Sequence, residues 1–235
     1  MKLLAIDSSG LVATVAVITE EALLAEYTLN YRKTHSQTLL PMLQEIIRLL
    51  EFDLSELDAI AVAAGPGSFT GLRIGSATAK GLGLALDKPI IPVPTVDALA
   101  YNLYGVDKLI CPMMDAKRNQ VYTGLYEFAS EDLHVLKEQT AIPVEEMIDE
   151  INQRGREVIY LGDGAKAYQE VISKRTTVGF QFAPLHLNRQ RAGALGALGV
   201  KYFLDHKYEA AAQHEPVYLR LSQAERERAE RLMKN

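Results

Sequence analysis

Gly65-Pro66-Gly67-Ser68-Phe69-Thr70-Gly71-Leu72-Arg73-Ile74-Gly75 links an apolar run, Ala59 to Ala64, to a stretch of small residues, Ser76 to Leu86. The run reads as a buried strand and the stretch as a helix. Four glycines in eleven residues make the link a turn shaped by its backbone, since glycine reaches positive φ and lets other groups approach closely. Amides at a helix start attract anions, so a phosphate site is one reading. A Walker loop is excluded, because Gly71 is followed by Leu72-Arg73 rather than by Lys-Ser/Thr.

Upstream, Leu3 to Ile6, Leu11 to Thr19 and Ala22 to Leu29 read as a three-stranded meander, turning at Asp7-Ser8-Ser9-Gly10 and at Glu20-Glu21. Thr34 to Leu50 reads as a helix. Downstream come a short strand, Ile90 to Val93, and a helix capped by Thr95-Val96-Asp97 that runs to Leu103. A second unit opens near Asp107, with strands over Lys108 to Met114, Val121 to Phe128 and Leu133 to Ala141. A helix led by Pro143 runs to Arg154. Val158 to Leu161 is a strand, Gly162-Asp163-Gly164 a turn, Ala165 to Ser173 a helix, and Arg189 to His206 a long helix. The predicted class is α/β in two lobes, residues 1–105 and 106–221, with a charged tail over 222–235.

The 235 residues are 48% hydrophobic and 23% charged, which suits a globular chain with a sizeable core. A net charge of −5 argues against this chain gripping nucleic acid alone, since that needs clustered Lys and Arg. The single cysteine, Cys111, forbids an internal disulfide and reads as a buried thiol, consistent with a reducing compartment. Asp7 interrupts the first apolar run, so no signal peptide is expected. No segment approaches about 20 apolar residues, so no membrane span is expected, and the cytoplasm is the expected location.

GPGSFTGLRIG, together with IDSS near the start and EPVYLR near the end, resembles the TsaB (YeaZ) family over Met1 to Leu221. That resemblance implies the two-lobed fold of actin, Hsp70 and the sugar kinases (ribonuclease H-like), with mixed central sheets flanked by helices. It also implies a noncatalytic dimerisation subunit in the making of threonylcarbamoyladenosine in tRNA. Such a subunit pairs with itself or with the transferase TsaD and activates it, and the ATPase TsaE joins the assembly. tRNA would be met only indirectly. ATP and Mg²⁺ would belong to the assembled complex and not to this chain by itself. The alternative is a small-molecule kinase or ATPase of the same superfamily.

In that superfamily the first phosphate loop falls on Asp7, Ser8 and Ser9. The functional reading is a degenerate nucleotide site; the plain one is a hairpin turn closed by Asp and Ser side chains. Gly162-Asp163-Gly164 would be the adenosine loop. Asp115 to Tyr122 matches a family segment, with Lys117 and Gln120 replacing the more usual Arg and Glu. His35, His134, His186, His206 and His214 show no i, i+4 pair or HExxH pattern, which argues against a metallopeptidase. No GxSxG elbow surrounds Ser68.

The remaining candidates form a surface. Leu39, Met42, Leu43 and Ile46, with Leu40, Ile47, Leu49 and Leu50, spread over half of the first helix, more than one packed face needs. Gly71, Gly75 and Ala79 recur every four residues on the second helix, beside Arg73, Ile74 and Thr78. Either the small residues pack within one subunit, or both helices pair across a two-fold. His35, Leu39, Met42, Leu43, Ile46, Gly71, Arg73, Ile74, Gly75 and Thr78 are the expected interface. On that reading a charge at Met42 or Gly75 breaks pairing and spares the monomer. Pro41 requires a helix start near Thr38, or marks a kink.

Overall fold

The computed structural model describes residues 1–31 and 34–220. The charged tail read over 222–235 lies outside the described residues. Two five-stranded mixed sheets carry the chain. The first has the order β3-β2-β1-β4-β5, from β1 (Lys2–Asp7), β2 (Ala13–Thr19), β3 (Leu23–Leu29), β4 (Ala59–Gly65) and β5 (Ile90–Pro94). The second has the order β10-β9-β6-β7-β8, from β6 (Leu109–Lys117), β7 (Gln120–Ala129), β8 (Asp132–Pro143), β9 (Val158–Leu161) and β10 (Phe180–Phe182). Read from the other edge, the second sheet repeats the first: a meander on one side, two parallel strands on the other. The two-lobed α/β architecture and the opening meander are therefore as the sequence predicts.

Among the described residues seven α-helices form three layers around and between the two sheets. α1 (His35–Leu50) and α2 (Phe69–Leu86) cover the outer face of the first sheet, over Leu4, Ile6, Val15 and Val17. α4 (Val144–Arg154), α5 (Asp163–Ala167) and α6 (Gln169–Arg175) cover the outer face of the second, over Leu109, Cys111, Val121 and Leu125. Burial pushes the Cys111 thiol up to about 12, as fits an inert core residue. Between the sheets lie α3 (Thr95–Tyr101) and α7 (Ala192–Leu204), in contact with each other.

These inner helices are exchanged. α7 comes from the second half of the chain, yet Ala192, Leu195 and Leu198 pack on Leu3, Ala5, Ala16 and Ile18 of the first sheet. α3 comes from the first half and keeps Ala98 and Tyr101 in the first sheet's core, yet Val96, Leu99 and Ala100 pack with Ile110, Met114 and Tyr126 of the second. A boundary at residue 105 thus separates the sheets but not their helices.

Local differences from the sequence reading have local causes. α1 begins at His35, so Pro41 lies inside it and cannot donate to the Gln37 carbonyl; both residues are exposed. The expected helix over Ala165 to Ser173 breaks at Tyr168, whose hydroxyl donates to Asp115 Oδ1 at 3.3 Å. The long helix shortens to Ala192–Leu204 because Arg191 is extended and ion-paired to Glu26. Thr95 does not cap α3; its Oγ1 accepts the Gly65 amide at 3.1 Å. Asp97 accepts the Tyr126 hydroxyl at 2.7 Å, and burial pushes its carboxyl up to about 6.

Candidate functional site

The Asp7-Ser8-Ser9-Gly10 turn ends β1 against the start of α2. Asp7 Oδ1 accepts the Ser9 amide at 2.8 Å and the Ser9 hydroxyl at 2.6 Å. Ser8 Oγ donates to the Gly71 carbonyl at 2.8 Å, and the Ser68 amide donates to the Ser9 carbonyl at 2.7 Å. All three side chains are buried. Burial raises Asp7 to about 6, against the lowering effect of the Ser9 hydrogen bonds and of His35. Asp7, Ser8 and Ser9 are thus turned into the protein and bonded there, which does not fit a cradle for a metal-bound phosphate. Among the described residues no group of three or more His, Cys, Asp or Glu is placed to hold a metal ion.

The glycines explain this closure. A Cβ on Gly71 would collide with the Ser8 carbonyl, and one on Gly75 would stand 2.6 Å from Ser8 Oγ. Ala79 is buried in the core of the same lobe. The Gly71, Gly75 and Ala79 stripe therefore faces its own sheet and not a partner. Leu39, Met42, Leu43 and Ile46 are likewise buried against that sheet. A charge at Met42 or Gly75 would strike the fold itself, contrary to the sequence expectation. Ile74 and Thr78 are half-buried, and Thr78 Oγ1 donates to the Ile74 carbonyl at 2.9 Å. His35 Nε2 donates to the Gly10 carbonyl at 2.8 Å, tying α1 to the first turn.

The outward residues of these helices are different ones. On α1, Leu40 is 52% and Leu49 65% exposed. On α2, Arg73, Ala77, Gly81, Leu84 and Ala85 are exposed, and no atom lies within 4 Å of the Cβ position of Gly81. α1 and α2 are in contact, and their outward residues comprise exposed leucines and a second stripe of small residues, Ala77, Gly81 and Ala85.

The second lobe repeats the arrangement. Asp115 takes the Lys117 ammonium at 2.6 Å and its amide at 2.8 Å. Burial works to raise Asp115, but these bonds hold it below the ordinary range. Asp163 Oδ1 accepts the Asp115 amide at 3.3 Å, and burial raises its carboxyl. Cβ atoms on Gly162 and Gly164 would press on the Met113 carbonyl, so Gly162-Asp163-Gly164 packs as tightly here as Gly71 does in the first lobe.

Residues 209–220 run as a strap over α2 and on to the second lobe. Glu209 bridges to Ile90, the Val217 amide donates to the Ala64 carbonyl at 2.7 Å, and the Arg220 guanidinium donates to the Ala116 carbonyl. Arg73 Nε donates to the Tyr218 hydroxyl at 3.3 Å. Between α2 and the strap, Ser76, His214 and Glu209 form a hydrogen-bonded chain that sequence reasoning missed. Its connectivity is that of a hydrolase triad. However, Ser76 is 4% and His214 1% exposed, and Lys80 binds the carbonyls of Ala212 and His214 beside them. A substrate carbonyl has no route to that hydroxyl, so the chain works as a tether. No local signal marks it, because Ser76 and His214 lie 138 positions apart.

Comparison with known proteins agrees with this architecture. The family described as "TsaD: tRNA N6-adenosine threonylcarbamoyltransferase" matches residues 22–228. The tRNA threonylcarbamoyladenosine biosynthesis protein TsaB of Bacillus subtilis is 34% identical over 228 residues, covering 96% of each chain. Its Escherichia coli namesake is 30% identical over 224 residues, covering 94% of this chain and 95% of the other. The structure of YeaZ from Pseudomonas aeruginosa superimposes with a TM-score of 0.77 at 27% identity, covering 93% of this chain and 99% of that one. With these matches spanning nearly its whole length, the chain belongs to the TsaB (YeaZ) family of tRNA threonylcarbamoyladenosine biosynthesis proteins.

Proposed function

We propose that this chain is a noncatalytic pairing subunit for tRNA threonylcarbamoyladenosine formation. It pairs with itself and with the TsaD transferase, holding the transferase in its active arrangement. TsaE, ATP and Mg²⁺ enter only in the assembled complex, in the cytoplasm. The observation that carries this reading is the outer surface of the contacting helices α1 and α2, where Leu40, Leu49 and Leu84 stand exposed, as do Ala77, Gly81 and Ala85. Small residues let a second helix approach closely, and exposed leucines supply the apolar area. The closed Asp7 turn supports the noncatalytic part, because its hydroxyls and carboxylate are already bonded within the chain.

Light scattering after size exclusion, on this chain alone and with its TsaD partner, tests the proposal. The parent chain should run as a dimer that exchanges into a one-to-one complex. Leu84→Glu and Gly81→Trp should be monomers with unchanged circular dichroism. Dimers that survive both changes would overturn the surface assigned here. A chain that ignores TsaD but binds ATP in a manner lost on Asp7→Ala would be a kinase or ATPase instead.

A further inference from the structure

Among the described residues the arginines fall into two sets. Arg48, Arg154, Arg156, Arg175 and Arg191 each sit in a salt bridge. Among the described residues Arg73, Arg118, Arg189 and Arg220 sit in none, and these four belong to one neighbourhood. Arg73 bonds Tyr218, two residues before Arg220. Arg220 bonds the carbonyl of Ala116, two residues before Arg118. Arg189 follows Asn188, whose carbonyl accepts the Gly162 amide, and lies within charge range of Asp163. In a chain of net charge −5, the four described arginines that form no salt bridge are thus gathered where the strap crosses between the lobes.

Three of the carboxylates nearby are already engaged. Asp7 is buried and bonded to Ser9, Asp115 takes Lys117, and Asp163 accepts the Asp115 amide. Glu215, on the strap, is exposed and forms no salt bridge among the described residues.

The turn that presents Arg118 is strained. Lys117 pairs with Gln120, leaving Arg118-Asn119 as a two-residue hairpin turn. Lys117, Arg118 and Asn119 have φ of 63°, 57° and 61°. Such turns favour Asn-Gly, and Lys and Arg are poor residues for the left-handed region. Strain retained at two cationic positions points to use of their side chains.

We infer that Arg118 and Arg220, flanked by Arg73 and Arg189, form a contact strip for the phosphodiester backbone of an RNA. Guanidinium groups bind phosphate oxygens in pairs, and cations spread over α2, the β6–β7 turn, the approach to α7 and the end of the strap suit a phosphate chain better than the single cluster of a free nucleotide. The turn at Asp7, with its side chains bonded within the chain, offers no phosphate cradle of its own. The inference rests on the reading that the chain serves tRNA modification, and it gives the chain a direct contact where composition predicted an indirect one.

Fluorescence anisotropy of a labelled unmodified tRNA transcript, titrated with the full chain from about 50 to 200 mM salt, tests it. The parent should bind with an affinity that falls with salt. Arg118→Ala with Arg220→Ala should lower affinity at least about tenfold at low salt and reduce the log–log slope by about 1 per arginine removed. Arg118→Lys should restore part of the loss. Arg118→Gly should raise the melting midpoint, since glycine relieves the turn, while weakening RNA binding; a merely structural residue would move both the same way. Parent chain without binding, an unchanged slope in the double variant, or complete competition by ATP or by polyglutamate would each overturn the inference. Light scattering on the same samples separates the two readings. Pairing that persists with an unchanged slope removes only the RNA contact, and a changed slope without pairing removes only the subunit role.

Discussion

Ser76 Oγ and His214 Nε2 lie 3.0 Å apart inside the protein, joining the middle of α2 to the strap. His214 Nδ1 and Glu209 Oε1 complete the link at 2.8 Å. His214→Ala should cost about 2–4 kcal/mol of unfolding free energy, because it empties a filled site and strands two polar groups. Ser76→Ala should cost less, about 1–2 kcal/mol, and the double variant should fall short of the sum. Urea denaturation measures all three. A serine-directed fluorophosphonate should leave the folded chain unlabelled; rapid labelling of Ser76 would show it reachable and restore the hydrolase reading.

Two glycines of α2 should respond in opposite directions. Gly71→Ala places a methyl group against the Ser8 carbonyl and should destabilise the chain by at least about 2 kcal/mol. Gly81→Ala meets open space and should stabilise the helix by about 0.5–1 kcal/mol. Thermal melts distinguish them. Equal effects would mean that the inward and outward faces of α2 are misassigned.

Asp7 carries a pH signature. Its folded value near 6 lies above the ordinary 3.8, so the fold favours the protonated acid. That stability is fully present below about pH 4 and is lost as pH rises through about 6. Asp7→Asn keeps an acceptor for both Ser9 bonds and carries no charge. It should exceed the parent at pH 7 by on the order of 2–3 kcal/mol and converge with it near pH 4. Denaturant titrations at the two pH values measure the gap, and a gap that does not close at low pH would contradict the burial argument.

Much of the fold was legible because its signals are local. The meander, the helix ahead of β4 and the glycine turn follow from apolar runs and turn residues. The direction of α2 was not legible, because the helix carries two small-residue stripes. Gly71, Gly75 and Ala79 are as regular in sequence as Ala77, Gly81 and Ala85, and only the position of Ser8 decides which faces inward. Likewise α1 is apolar over too wide an arc, and periodicity cannot say that Met42 is buried while Leu40 is exposed. The three-residue β10 is too short for a pattern. The tether and the arginine strip join residues more than a hundred positions apart, beyond any windowed reading.

The exchange of α3 and α7 sets the order of events during synthesis. The inner face of the first sheet, with Leu3, Ala5, Ala16 and Ile18, lacks its main covering helix until Ala192 to Leu204 has been made. A nascent first half therefore leaves the ribosome with an open apolar surface and waits for most of the remaining chain. The halves cannot mature one after the other as independent modules. They close together, late, and a chain cut between its sheets yields two fragments that each lack a helix held by the other.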